Sequence, residues 1–401
     1  MESGTAAAPT AAGPRLDFRL LYVGAFIAYG DRFAIAPILV SVAGDLGESL
    51  AAVTVMATLY FLLYGLLQPV YGIVSDRVGR VRVMRFALCG MFLASAASAF
   101  APNLPTLVLA KAAAAAFVAA VLPTSLVYVG DMVPLQHRQH VIANVLAAGS
   151  VGTVLATVGA GMAARYATWR LVFLVPAVIS LLLAVALGRL PESLSRTAGT
   201  GALTPVRQVF SHPWAVFLVV LALAEGAFML GFLTFLAPAL EARGHSAAVA
   251  GAVTATYGVA VFAGLQGVKR LVRQASLPPS ALIAGGGTLL VVAYLVAAAN
   301  QQVANILLAS VLIGVGYALL HSTLQTWATD VAPEARGTAI SFFVTAVFTG
   351  AALGTAAVRG LADAGRYQQL FLVAAALAVP VAVIAAVART RYPAGGGAST
   401  S

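Results

Sequence analysis

From Arg19 onward the chain alternates between long apolar runs and short polar breaks. The runs lie near 19–43, 50–74, 83–101, 105–129, 139–163, 169–189, 213–238, 246–268, 279–299, 302–328, 337–358 and 367–389. Each is close to the roughly 20 residues that a helix needs to cross a hydrocarbon layer, so the pattern predicts twelve membrane spans. An even number of spans puts both ends on one side. The longest polar stretch, Pro191 to His212, is rich in Pro, Ser, Thr and Gly and reads as a linker between two six-helix halves. The expected organisation is a tail over 1–18, a bundle over 19–190, a linker over 191–212, a second bundle over 213–389 and a tail over 390–401.

The two halves repeat. Asp131-Met132-Val133-Pro134 follows span four with Arg138 beyond it, and Asp330-Val331-Ala332-Pro333 follows span ten with Arg336 beyond it. Arg165-Tyr166 leads into Phe173-Leu174-Val175, just as Arg366-Tyr367 leads into Phe371-Leu372-Val373. Matched polar landmarks at one offset of roughly 200 residues indicate an internal duplication. Spans five and eleven each carry small residues four apart, Gly152, Ala156 and Ala160, then Ala346, Gly350 and Gly354. Such stripes let helix backbones approach closely.

Composition agrees with a membrane protein. Of 401 residues 61% are hydrophobic and 9% charged, against about 25% charged in soluble domains. The net charge of +10 does not point to nucleic acid, because the cations follow the loops. Most Lys and Arg flank the side that carries the termini, few flank the other, and Arg32 and Lys111 lie inside spans. That excess predicts cytoplasmic termini and a place in the cytoplasmic (inner) membrane. The single cysteine, Cys89, excludes an intramolecular disulfide. Met1 to Pro14 lacks the basic and apolar regions of a cleaved signal, so the first run is expected to stay as a helix. No P-loop, zinc helix motif, G-x-S-x-G elbow or dinucleotide fingerprint appears, and the loops are short. The chain is therefore not expected to be an enzyme or to hold a cofactor or metal.

Charges inside spans cost at least about 2.5–3.5 kcal/mol each on insertion scales. Asp31 and Arg32 sit in span one, Lys111 in span four and Glu225 in span seven, with His321 in span ten. Ionised, the four charged residues sum to zero, as a compensated buried set requires. Adjacent residues on a helix point about 100° apart, so Asp31 needs a partner on another helix, and Lys111 is the first candidate. Glu225 is expected to be protonated or paired with Arg32. A buried carboxylate is destabilised by desolvation and stabilised by a nearby ammonium, so moving the ammonium away would load a proton. Asp31, Lys111, Glu225 and Arg32 are the candidate proton-coupling set. Phe26, Tyr29, Tyr60, Tyr64, Phe228, Phe232, Tyr257, Tyr317 and His321 are candidates for lining a substrate cavity, with Trp327 beside them.

Between spans two and three lies Gly72-Ile73-Val74-Ser75-Asp76-Arg77-Val78-Gly79-Arg80-Val81-Arg82, read as a charged hairpin at one membrane face. Gly79 suits a turn with φ > 0, and Asp76 can accept from loop amides or a helix N-terminus. The stretch resembles the loop between helices two and three of the major facilitator superfamily. Lys111 is similar to the basic residue that opens that family's fourth-span motif, although Ala112 to Ala116 stand where glycines are usual. In the stretch Gly149 to Gly161, Ala156-Thr157 replaces the glycine-proline of proton-driven exporters, and Trp169-Arg170 follows at the usual distance. The resemblance implies an all-α membrane protein of twelve helices in two pseudo-symmetric six-helix bundles. It implies alternating access to a midplane site, with Gly72, Asp76, Arg77, Gly79 and Arg80 governing the switch. It further implies proton-coupled export of a drug-like molecule or metabolite by a monomer. The alternatives are a proton symporter importing a metabolite or sugar, and a non-transporting receptor or scaffold.

Overall fold

The computed structural model describes residues 17–193, 204–275 and 277–392. The tail over 1–16, residues 194–203 of the expected linker and the tail over 393–401 lie outside the described residues. Every regular element among the described residues is helical. Eleven helices are long and apolar enough to cross a membrane, and a bent pair, Arg19–Phe33 with Ala36–Leu46, makes the twelfth. The linker region also holds a short helix, Thr204–Ser211.

Three spans that read as continuous are broken, and proline explains each break. A proline has no N–H to donate and its ring crowds the carbonyl four residues earlier. Pro37 ends the first helix at Phe33, where the span bends by 44°. Pro123 faces Ala119, the gap between Leu104–Val118 and Val121–Met132 in span four. Pro238 faces Thr234 in a 3-10 turn, Phe232–Phe235, that follows a π-turn, Ala227–Gly231, in span seven. Spans one and seven, the first of each half, thus both break near mid-membrane, where transporter folds place their sites.

Small residues set the packing. A Cβ on Gly152 would lie 2.3 Å from the Phe26 carbonyl, joining spans five and one. Cβ atoms on Gly350 and Gly354 would lie 1.8 Å from the Leu223 carbonyl and 2.7 Å from the Ala227 carbonyl, joining spans eleven and seven. The same contact is made once in each half. Between the halves, span five meets span eight at Gly161 and Gly251, and span two runs beside span eleven. Three hydrogen bonds cross that second seam: Ala51 N to Asp363 Oδ1 at 3.1 Å, Thr58 Oγ1 to Thr355 Oγ1 at 3.1 Å, and Thr345 Oγ1 to the Gly65 carbonyl at 2.9 Å. The last uses the carbonyl that Pro69 releases.

Those contacts stop halfway. The outer piece of span one touches the outer part of span seven, Leu236–Glu241, and span eight. Trp169 Nε1 donates to Asp45 at 3.0 Å and holds that piece in place. Among the described residues, no hydrogen bond or ring contact joins the halves on the terminus-bearing side of Gly65 and Thr345. The hydrogen bonds and ring contacts between the halves thus lie at mid-span and toward the face away from the termini.

The expected hairpin is not a loop. Span two continues as helix from Leu50 to Val78, and span three begins at Arg80, so Gly79 alone makes the turn. Its φ of 112° is a conformation that side chains disfavour. We expect Gly226→Ala and Gly350→Ala each to destabilise the protein by about 1–3 kcal/mol, because a methyl would displace a facing backbone. Gly285→Ala, with nothing within 4 Å, should change stability by less than about 0.5 kcal/mol. Thermal unfolding in detergent measures this, and equal midpoints for all three would refute the packing account.

Candidate functional site

Asp31 lies one turn before the break in span one and points into its own half. Lys111, on span four, meets it there, with Nζ 2.5 Å from Asp31 Oδ1 and each side chain only 1% exposed. The ammonium also sits 5.0 Å from the ring centres of Tyr60 and Phe173. Rings and carboxylate together replace the water that a buried ammonium loses.

The other half holds a counterpart that sequence reasoning missed. Glu225 lies just before the break in span seven, fully buried, and its Oε1 is 2.9 Å from His321 Nδ1 on span ten. The His321 ring stacks at 4.4 Å on Tyr317. Each half therefore pairs an acid on its first span with a base on its fourth. The offset of roughly 200 residues already noted could have found the second pair. The expected pairing of Glu225 with Arg32 is corrected: the π-turn after Glu225 and the stacked imidazole give it a partner within its own half.

Arg32 points the other way, into the space between the halves. Its guanidinium carbon stands 4.6 Å from the ring centres of Tyr64 on span two and Phe348 on span eleven, and 5.0 Å from that of Tyr29. No carboxylate among the described residues lies within ion-pair distance of it. Its Nε and the hydroxyls of Tyr60 and Tyr64 are buried without hydrogen-bond partners. Arg32 also lines a small cavity of about 40 Å³ with Phe33, Phe61, Thr153, Thr157, Leu233 and Tyr257. That volume holds a water or two and no organic molecule.

The predicted cavity residues divide. Tyr29 and Tyr64 surround Arg32, Tyr257 lines the cavity 5.5 Å from Phe33, and Tyr317 carries His321. Tyr60 covers Lys111, and Phe26 is half-buried where span five crosses span one. Phe228 and Phe232 are corrections. The Phe228 carbonyl accepts from the Tyr294 hydroxyl and the Phe232 ring packs on Tyr294, inside the second bundle. The turn in span seven presents Leu230, Leu233 and Thr234 to the cavity in their stead. Trp327 packs with Trp214, Phe217 and Tyr392, away from the cavity. Phe348 was missed because nothing in an apolar run marks it. Thr157, in the place of the exporters' proline, lies 3.5 Å from the Phe33 carbonyl that Pro37 releases.

At the terminus-bearing face, Arg80 is buried and gathers Asp76 at 2.5 Å, Asp131 at 3.3 Å and Ser75 at 2.7 Å. Ser193 donates to Asp131 at 2.6 Å. The expectation that Asp76 takes the loop amides is corrected. Glu192 accepts from Val81 N at 2.8 Å and Arg82 N at 3.1 Å, occupying the N-terminus of span three. A Cβ on Gly79 would lie 2.6 Å from the Glu192 carboxyl, so glycine is required there on two counts. Gly72 is exposed and joins this network only through its carbonyl, which accepts from Ser75 Oγ at 3.0 Å, while exposed Arg77 stands apart from it.

Two duplicated six-helix bundles with acid–base pairs buried inside them are the architecture of a multi-pass membrane transporter. The chain belongs to the major facilitator superfamily, whose model matches residues 21–355 and again 273–401. A triacylglyceride transporter of Mycolicibacterium hassiacum is 30% identical over 156 residues, 38% of this chain and 29% of that protein. A puromycin resistance protein of Streptomyces alboniger is 30% identical over 206 residues, 47% of this chain and 41% of that protein. A putative multidrug resistance protein of Escherichia fergusonii is 27% identical over 163 residues, 41% and 35% of the two chains. The alignments thus span less than half the length of these curated relatives. Among solved structures, a bacterial homolog of the human lysosomal transporter Spinster, inward-facing and unoccupied, superposes with a TM-score of 0.76 at 17% identity, covering 94% of this chain and 96% of that one. The xylose transporter XylE of E. coli, partially occluded and inward open, gives 0.73 at 15% identity, covering 96% and 98%. These last two establish the fold alone.

Removing one member of a buried ion pair costs about 3–5 kcal/mol, whereas replacing both can be neutral. We expect Lys111→Met to lower stability by that amount and the double change Asp31→Asn with Lys111→Met to recover most of it. Additive effects in a double-mutant cycle would show that the pair does not interact.

Proposed function

We propose that this protein is a proton-coupled exporter of a small organic compound, working by alternating access. The observation that carries this reading is the pair of buried acid–base couples, one in each half, beside a cavity that the two halves share. Each couple lies within one half, so rocking the halves leaves its distance unchanged and alters only its access to water. A carboxylate that meets water from one side and then the other can carry a proton across. Asp31, tuned by Lys111, is the proposed carrier, with Glu225 and His321 as a second protonatable couple. An imidazole ordinarily titrates near neutral pH. The direction, outward, is supported by the resistance proteins among the relatives.

The arginine excess supports a cytoplasmic position for the termini, on the face where no hydrogen bond joins the halves among the described residues. Asp76, Arg80 and Asp131 would then be contacts of the first half that change when that face closes. Purified protein in liposomes with an imposed pH gradient tests the reading. Wild-type protein should move substrate against its gradient. Asp31→Asn, which keeps the shape of the protonated carboxyl, should abolish gradient-driven movement while leaving binding of a neutral substrate. Driven transport by that variant near the wild-type rate would transfer the role to Glu225. In the same assay Asp76→Asn should slow turnover several-fold with affinity changed little, and an altered order of substrate preference would count against a role confined to switching.

A further inference from the structure

We infer that Arg32 anchors the substrate, and that the substrate is an organic anion with an apolar body. The inference rests on the reading that the space between the halves is the translocation site. Among the described residues, the other charges buried at mid-membrane each have a basic or acidic partner within 3 Å in their own half, and Arg32 has none. Tyr64 and Phe348 take the two closest ring positions on the guanidinium, each 4.6 Å away. Rings stabilise a cation over their faces but offer it no acceptor. The N–H groups in the guanidinium plane are left to be satisfied, and Nε is buried with no acceptor at all. The hydroxyl of Tyr64, whose ring faces Arg32, is one more unpartnered donor.

A guanidinium fork with a neighbouring hydroxyl is the donor set that a carboxylate, sulfonate or phosphate ester takes up. The cavity wall beside it carries no acidic side chain, and apart from Arg32 it is made of Ile35, Phe61, Leu230, Leu233, threonines and other uncharged residues. A cationic ligand would find no counter-charge there, and its own charge would oppose Arg32. The rings that grip Arg32 come from both halves, Tyr64 from the first and Phe348 from the second. An anion seated on Arg32 neutralises the charge held between them, so occupancy and the fit of the halves are linked.

Binding by purified protein to three molecules sharing one ring system tests this: 2-naphthoate, 2-naphthamide and 2-naphthylmethylammonium, by calorimetry at one pH near neutral. The carboxylate should bind at least about tenfold tighter than the amide, equivalent to one decade in Kd, with the ammonium weakest. Arg32→Gln should bring the carboxylate down to the level of the amide, and Arg32→Lys should keep part of the preference. Phe348→Ala, which leaves the cation in place, should weaken the carboxylate while preserving its rank. Equal binding of carboxylate and amide would overturn the inference. So would a preference that survives Arg32→Gln, or no binding of the carboxylate at millimolar concentration. Inorganic sulfate binding as tightly as the naphthoate would overturn the apolar body. Driven export of the ammonium without the naphthoate would sink the anion anchor and leave the transport reading standing. Naphthoate bound through Arg32 by a protein that moves nothing in liposomes would do the reverse.

Discussion

The structure depends on one constraint: at mid-membrane there is no water to satisfy a polar group, so the protein must do it. Asp31 with Lys111 and Glu225 with His321 are two solutions of the same kind, each confined to one half. Confinement matters mechanically. A pair shared between the halves would resist their separation, since breaking it would strand two charges. Because each half settles its own acid and base, the halves can part without that penalty. What they share is weaker, namely three hydrogen bonds, close glycine contacts and rings around a single guanidinium.

Proline supplies the backbone side of the same constraint. Each internal proline releases a carbonyl one turn earlier, and in hydrocarbon that carbonyl needs a donor. Pro69 releases the Gly65 carbonyl, and Thr345 of the other half donates to it. Pro37 releases the Phe33 carbonyl, and the Thr157 hydroxyl lies beside it while bonding mainly to Thr153 at 2.7 Å. Thus prolines create acceptors at the seams where helices meet, whether they break a helix as Pro37 does or sit inside one as Pro69 does. In span seven the Tyr294 hydroxyl serves the Phe228 carbonyl, which holds the π-turn and fixes where Glu225 points.

Length and polarity made the twelve spans and the duplication legible, because a run of about 20 apolar residues has few other uses. The buried charges were legible for the same reason, since each is conspicuous in hydrocarbon. Direction was not. A helix that is apolar all round carries little sign of which face turns inward, so Phe228 and Phe232 were placed in the cavity and Phe348 was not. The breaks in spans one, four and seven were readable from Pro37, Pro123 and Pro238. They escape a reading by hydropathy because an apolar break looks like an apolar helix. The stretch from Gly72 to Val78 reads as a loop by its charge, yet it is helix. Exposed Asp76 and Arg77 sit comfortably on its surface, and only the positive φ of Gly79 turns the chain.

The two halves repeat in their geometry but not in their chemistry, and the difference falls on the base. Lys111 is a compact ammonium wrapped by a carboxylate and two rings. His321 in the corresponding place is an imidazole, whose two charge states both leave an N–H for Glu225. A duplicated fold with two identical couples would answer a proton in the same way on both sides of its cavity. With an ammonium in one half and an imidazole in the other, the two couples are chemically distinct. The unpaired Arg32 stands in the space between them. It faces rings from both halves, whereas each acid–base couple is enclosed by its own.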